Sequence, residues 1–148
     1  MANLFLRNDG RFIAVNSGDV STSTSTNTNA LFTTFYSTLT STVALSNTGN
    51  FFSGPSIAQG SSGIWLVMGA AACLDSAGSA VMSARIFDGT TQWGGIIGFE
   101  SPGVSLAGSM TISAIATSPS GNLILQCKDN SAITGWIYSG QITAIRIG

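Results

Sequence analysis

The sequence predicts an all-β domain, a sandwich or barrel of short antiparallel strands. Three observations carry this expectation. Apolar and β-branched runs recur between clusters of Gly, Asn, Asp, Ser and Pro. No stretch keeps a 3.6-residue apolar period over three turns, and Thr, Ile, Val and Phe, which suit a pleated surface, are abundant. The 148 residues fit one domain, large enough to bury a core without disulfides or metal.

The elements follow in chain order. Leu4-Phe5-Leu6 and Phe12-Ile13-Ala14-Val15 flank Asp9-Gly10, the strongest short-range hairpin signal, so the N-terminus reads as a β-hairpin. Pairing about Asp9-Gly10 puts Leu4, Leu6, Ile13 and Val15 on one face and Phe5, Phe12 and Ala14 on the other, so both faces are apolar. An isolated two-stranded ribbon is marginal in water. Leu4, Phe5, Leu6, Phe12, Ile13 and Val15 are therefore candidates for anchoring onto another surface. Ser21 to Asn29 contains no apolar residue and reads as a linker or extended arm. Residues 1–29 thus form an anchoring arm and residues 30–148 the strand-rich domain.

Within that domain the expected strands are Leu31 to Leu39, Thr42 to Ser46, Asn50 to Phe52, Ser56 to Gln59, Ile64 to Leu74, Ala80 to Phe87, Gln92 to Phe99, Ser105 to Ala116, Leu123 to Lys128, Trp136 to Tyr138 and Ile142 to Ile147. Met110, Ile112, Ala114 and Ala116 alternate with Thr111, Ser113, Ile115 and Thr117, as in a strand with one buried face. Ile64-Trp65-Leu66-Val67-Met68 is apolar on both sides. Antiparallel sheets normally leave one face to water, so this strand is expected to be covered outside its own domain as well as inside.

Composition points the same way. Only 7% of residues are charged, against about 25% in an ordinary soluble domain, and about a quarter are Ser or Thr. Uncharged polar surfaces with net charge near zero tend to associate, which suits a component of an assembly. The formal net charge of −1 lacks the basic footprint of a nucleic-acid binder. No apolar run is long enough for membrane insertion, and the N-terminus lacks a secretory signal pattern.

Catalytic and cofactor chemistry is sparse. With no His, the commonest general base and metal ligand are missing, as is every Ser/His/Asp or Cys/His nucleophile system. Asp9, Asp19, Asp75, Asp88, Glu100 and Asp129 are scattered and show no calcium-loop spacing. A glycosidase needs two facing carboxylates, and Glu100 precedes a Ser101-Pro102-Gly103 loop without an evident partner. Gly94-Gly95-Ile96-Ile97-Gly98 has no following helix or Lys to make a phosphate cradle. Arg85 and Asp88 read as strand-edge charges, not as an active pair. Trp93, Trp136 and Tyr138 serve packing or, if exposed, stacking on sugar rings. Cys73 and Cys127 read as small buried hydrophobes; a disulfide would need neighbouring strands and an oxidising compartment. No cofactor and no metal site is expected.

Val43-Ala44-Leu45-Ser46-Asn47, Gly54-Pro55-Ser56-Ile57-Ala58-Gln59-Gly60, Gly63-Ile64-Trp65, Ala84 through Thr91 and the ending Ile142-Thr143-Ala144-Ile145-Arg146-Ile147-Gly148 together resemble small structural proteins of tailed bacteriophages and gene-transfer particles. The resemblance covers residues 42–148. It implies a trimeric jelly roll, similar to the tumour-necrosis-factor and complement-head fold, standing on a particle as a head decoration, spike or fibre tip. It implies no catalytic residue. The expectation is a homotrimeric virion protein, a capsid decoration or cement protein on the phage particle surface. Its partner would be the major capsid protein or another virion protein. Trp65, Val67, Ile142, Ala144 and Arg146 are the expected trimer contacts. The alternative is a receptor-binding tip in which Trp93, Glu100 and Trp136 meet a host glycan or protein.

Overall fold

A computed structural model describes residues 2–6, 12–16, 33–78, 80–100, 107–131 and 134–148. The chain divides into two compact units, 1–33 and 34–148. In the first, β1 (Ala2–Leu6) and β2 (Phe12–Asn16) pair antiparallel. Phe5 is the Cα partner of Ile13, and Leu6 of Phe12. This register is one residue away from that of a two-residue turn at Asp9-Gly10, so the expected cross-strand pairing of the hairpin is corrected. A slip of one residue exchanges cross-strand neighbours throughout a hairpin. The Asp9-Gly10 turn and the Ser21 to Asn29 arm lie outside the described residues.

The second unit is a sandwich of two antiparallel sheets. Its strands are β3 (Thr34–Thr38), β4 (Val43–Leu45), β5 (Phe52–Ile57), β6 (Ile64–Asp75), β7 (Val81–Phe87), β8 (Gln92–Glu100), β9 (Gly108–Thr117), β10 (Leu123–Asp129) and β11 (Gly135–Arg146). One sheet runs β5-β10-β7-β8; the other runs β3-β11-β6-β9, with β4 also paired to β11. From β4 to β11 the chain crosses between the sheets at every connection except β7–β8. This is the eight-stranded order of a jelly roll. The expected all-β sandwich is therefore what the chain forms.

Two long strands replace pairs of shorter expected ones. Gly54-Pro55 reads as a break, yet it sits inside β5, where the register with β10 shifts between Ile124 and Gln126. Pro55 has no N–H to donate and is accommodated at a bulge on an edge strand. Ser139-Gly140 likewise lies inside β11, where a shift between Ile137 and Ser139 leaves Tyr138 pointing out. Gly94, with φ +70°, makes the bulge where β7–β8 pairing slips between Ala84 and Ile86. The glycines weighed as a phosphate loop are strand residues. Leu31 and Phe32, expected to open a strand, and Ser105 with Leu106, expected to begin β9, lie outside the described residues.

The core is filled by alternate residues of facing strands: Trp65, Val67, Ala71 and Cys73 from β6, Met110, Ile112, Ala114 and Ala116 from β9, and Ile137, Ile142 and Ala144 from β11. Opposite them stand Met82, Ala84 and Ile86 from β7 and Leu123, Leu125 and Cys127 from β10. At the start of β9 the Phe99 ring occupies the place where a Cβ at Gly108 would stand. Gly108→Ala is therefore expected to lower stability by about 1–3 kcal/mol through overpacking. Thermal unfolding measures this, and Phe99→Leu in the same chain should recover part of the loss.

Candidate interaction surface

The sheet β3-β11-β6-β9 presents an outward face made by the residues that alternate with the core. Tyr36, Trp136, Tyr138, Ile64, Met68 and Ile115 are exposed there. Around them lie Leu66, Ala70, Ala72, Leu74, Thr111, Ser113, Gln141, Thr143 and Ile145. None of these outward residues is charged. Because Ala70 and Ala72 are short, a shallow groove runs along the middle of the face, bounded by Met68, Thr111, Gln141 and Thr143. Large exposed apolar side chains grouped on one uncharged face are a feature of surfaces that meet a partner.

The outer face of the other sheet is built differently. The Arg85 guanidinium lies 4.2 Å from the ring centres of both Phe51 and Phe87, and the Lys128 ammonium lies 5.3 Å from Phe51. Arg85 Nε also donates to Gln126 Oε1 at 2.8 Å, and Gln126 Nε2 donates to Ser53 Oγ at 3.2 Å. Burial lowers the Arg85 pKa from its ordinary value. The cation–π stacking covers these apolar rings with charge, while Val81 and Ile96 are exposed elsewhere on this sheet.

Each end of the sandwich is tied by a buried aspartate. At the β7–β8 turn, Asp88 Oδ1 accepts the N–H groups of Thr90 and Thr91 at 2.9 and 2.6 Å, and Oδ2 accepts Ser120 N–H at 3.0 Å and the Trp93 indole N–H at 3.1 Å. Burial opposes its ionisation, but the Thr91, Thr90 and Ser120 N–H groups and the indole outweigh that and hold the carboxyl well below the usual range. At the opposite end, Asp75 accepts the Gly78 N–H at 3.2 Å, the Ala77 N–H, and the Thr134 hydroxyl at 2.9 Å. Burial raises its pKa, and these bonds, with the hydrogen-bonded Asp129 side chain, bring the net shift below the ordinary value. Among the described residues no group of three or more His, Cys, Asp or Glu side chains is placed to hold a metal ion.

The structure places the sequence-predicted residues as follows. Trp65 is 2% exposed and Val67, Ile142 and Ala144 are 0% exposed, so these four fill the core of the protomer and offer no surface to a second copy. The expectation that they form a trimer interface is corrected. Arg146 packs its guanidinium 5.8 Å from the Trp65 ring at the end of the sandwich, off the outward face. The residues that do face out are their neighbours along the strands, Ile64, Leu66, Met68, Thr143 and Ile145. A strand apolar on both sides carries no alternation to say which set points inward.

Trp93, Glu100 and Trp136 do not form one site. Trp93 is tied to Asp88 at one end of β8, and Glu100 ends the same strand opposite Val81. Trp136 belongs to the other sheet, opposite Leu74 and Ala44, with its indole N–H donated to the Thr134 carbonyl at 2.9 Å. Arg85 and Asp88 likewise serve different partners. For Leu4, Phe5, Leu6, Phe12, Ile13 and Val15 the backbone pairing alone is described. The polar ties of Gln59, which donates to the Gly121 carbonyl at 2.9 Å and accepts the Leu123 N–H at 3.0 Å, were not foreseen. Partners more than sixty residues apart leave no local signal.

No family model matches the chain, and no curated protein matches it. Among solved structures it is similar to the Eiger TNF of S. frugiperda, at 9% identity over 78% of this chain and 93% of that one, with a TM-score of 0.44. It is similar to PRD1 vertex protein P5 at 12% identity over 99% and 82%, with a TM-score of 0.41. It is also similar to the C-terminal carbohydrate-binding module, a CBM6, of the marine laminarinase LamC from Zobellia galactanivorans, at 15% identity over 75% and 99%, with a TM-score of 0.39. The identities are low and the TM-scores fall below one half, so no ligand, partner or activity passes from these proteins to this chain.

Proposed function

We propose that the protein is a structural component of a phage particle, a homotrimeric decoration or cement protein that holds the capsid surface through residues 1–29. The observation that carries this reading is the uncharged outward face of β3-β11-β6-β9 with its exposed Ile64, Met68, Ile115, Trp136 and Tyr138, which a second copy of the chain would cover. The resemblance of residues 42–148 to phage structural proteins supports it. So does the scarcity of charge over the whole sequence, with 7% of residues charged. The role is adhesive, not enzymatic: each trimer delivers three arms, and multivalency makes modest contacts long-lived. A receptor-binding tip is disfavoured by the separation of Trp93, Glu100 and Trp136.

A chain beginning at Ala30 is expected to remain trimeric by sedimentation but to fail to decorate particles. Phe5→Asp with Phe12→Asp in the full-length chain should behave the same way. Capsid binding equal to that of the intact chain would remove the arm from the mechanism. A monomeric full-length chain at micromolar concentration would remove the trimer.

A further inference from the structure

We propose that Cys73 and Cys127 are the two halves of a latent cross-sheet disulfide, closed by a small disulfide oxidant such as oxidised glutathione. The two residues lie on interior strands of opposite sheets. Cys73, on β6, has Ile137 and Gly108 as its Cα partners; Cys127, on β10, has Ala84 and Phe52. Both are free thiols and both are 0% exposed. Both point into the core, and four residues back along β6 and two back along β10 a Cβ at Gly69 would stand 3.0 Å from the Leu125 side chain, so the two strands face each other at this level.

The backbone brings the two strands close. Stacked sheets usually lie about 10 Å apart, but Cα atoms of β6 and β10 come within 8 Å of each other. A disulfide spans roughly 4.4–6.8 Å between Cα atoms, so forming the bond draws these two strands together. Two residues further along each strand, Asp75 and Asp129 are both buried, and Gly135, the Cα partner of Asp75, lies against the Asp129 carboxylate, where a Cβ would stand 2.7 Å from Oδ2. The same two strands thus come together at the next inward position, which fixes their relative height.

The reaction is two successive exchanges. One cysteine, as thiolate, attacks a sulfur of the oxidant, giving a protein mixed disulfide and releasing one small thiolate. The second cysteine then attacks the protein sulfur of that mixed disulfide, forming the cross-sheet bond and expelling the other small thiolate. The two protons of the cysteines end on the two released thiols, so two protein thiols are oxidised and one small disulfide is reduced. The hydrogen bond with Cys73, followed by burial, pushes the Cys127 thiol well above its usual pKa. Thiolate is the attacking species, so closure is slow until this end of the sandwich opens. The bond then persists.

This inference is independent of the virion reading and is tested on the isolated full-length chain. The reduced protein is warmed until iodoacetamide labels both cysteines in a control sample. It is then treated at that temperature with oxidised glutathione, cooled, and analysed by intact mass and non-reducing peptide mapping. The expected product is a monomeric chain that has lost two hydrogens and carries a linked Cys73–Cys127 peptide. The cysteines are about 54 residues apart, and a loop of that length should raise the melting temperature by about 8–16 °C over the reduced protein. Cys73→Ala and Cys127→Ala should each take up one glutathione and show no such rise. Two glutathiones on the unaltered chain, a bond between chains, or a bridged form that melts no higher than the reduced one would each overturn the proposal.

Discussion

Trp65→Asp is expected to leave the chain unfolded, whereas Met68→Asp, three residues along the same strand, is expected to leave it folded and separate the copies. Trp65 is 2% exposed, meets Phe35 edge-to-face at 5.6 Å between ring centres, and donates its indole N–H to the Ser62 carbonyl at 3.0 Å. Truncation of such a side chain costs about 3–5 kcal/mol. An unpaired carboxylate in its place adds several more, against a total stability of about 5–15 kcal/mol for a typical domain. Met68 is 42% exposed on the outward face, so a carboxylate there stays hydrated and costs about 1 kcal/mol. Far-UV circular dichroism separates the two variants, and sedimentation reads the association state of the second. A folded Trp65→Asp chain would remove Trp65 from the core. A Met68→Asp chain still trimeric at micromolar concentration would move the interface off this face.

That contrast also marks how far the sequence could be read. The strand from Met110 to Ala116 alternates, and its inward set is the one the alternation names. In β6 both sets are apolar, so nothing local tells Trp65 and Val67 from Leu66 and Met68. Packing decides, because the large ring fills the end of the sandwich under Arg146 and against Phe35. β5 and β11 were legible as strands but not as single ones, since Gly54-Pro55 and Ser139-Gly140 carry turn chemistry that tertiary pairing turns into bulges. The level at which Cys73 faces Cys127 depends on how the two sheets stack, which no spacing along the chain encodes. The hairpin was legible from Asp9-Gly10 in kind, and its register was off by one residue.

Asp88→Ala is expected to cost about 3–5 kcal/mol at neutral pH. The carboxylate is 4% exposed and accepts three backbone N–H groups and the Trp93 indole. Removing it leaves four part-buried donors without their acceptor, each at up to about 1–3 kcal/mol less whatever water recovers. Asp88→Asn keeps an oxygen for Thr90 and Thr91 but turns an amide N–H₂ toward Ser120 and Trp93, so it should lose the tie between the two turns and part of the stability. The pH dependence separates charge from shape. Because the native carboxyl titrates well below the value near 3.9 that it has when unfolded, its contribution is complete above about pH 5. It is lost progressively as pH falls toward the native value. The stability gap between the parent and Asp88→Asn, measured by denaturant unfolding, should therefore narrow steadily below about pH 5. Asp75, lowered in the same direction, continues to contribute an acid slope in both chains. A gap unchanged with acidification would mean that Asp88 acts through its shape alone, and a variant as stable as the parent at pH 7 would mean that the two turns hold together without it.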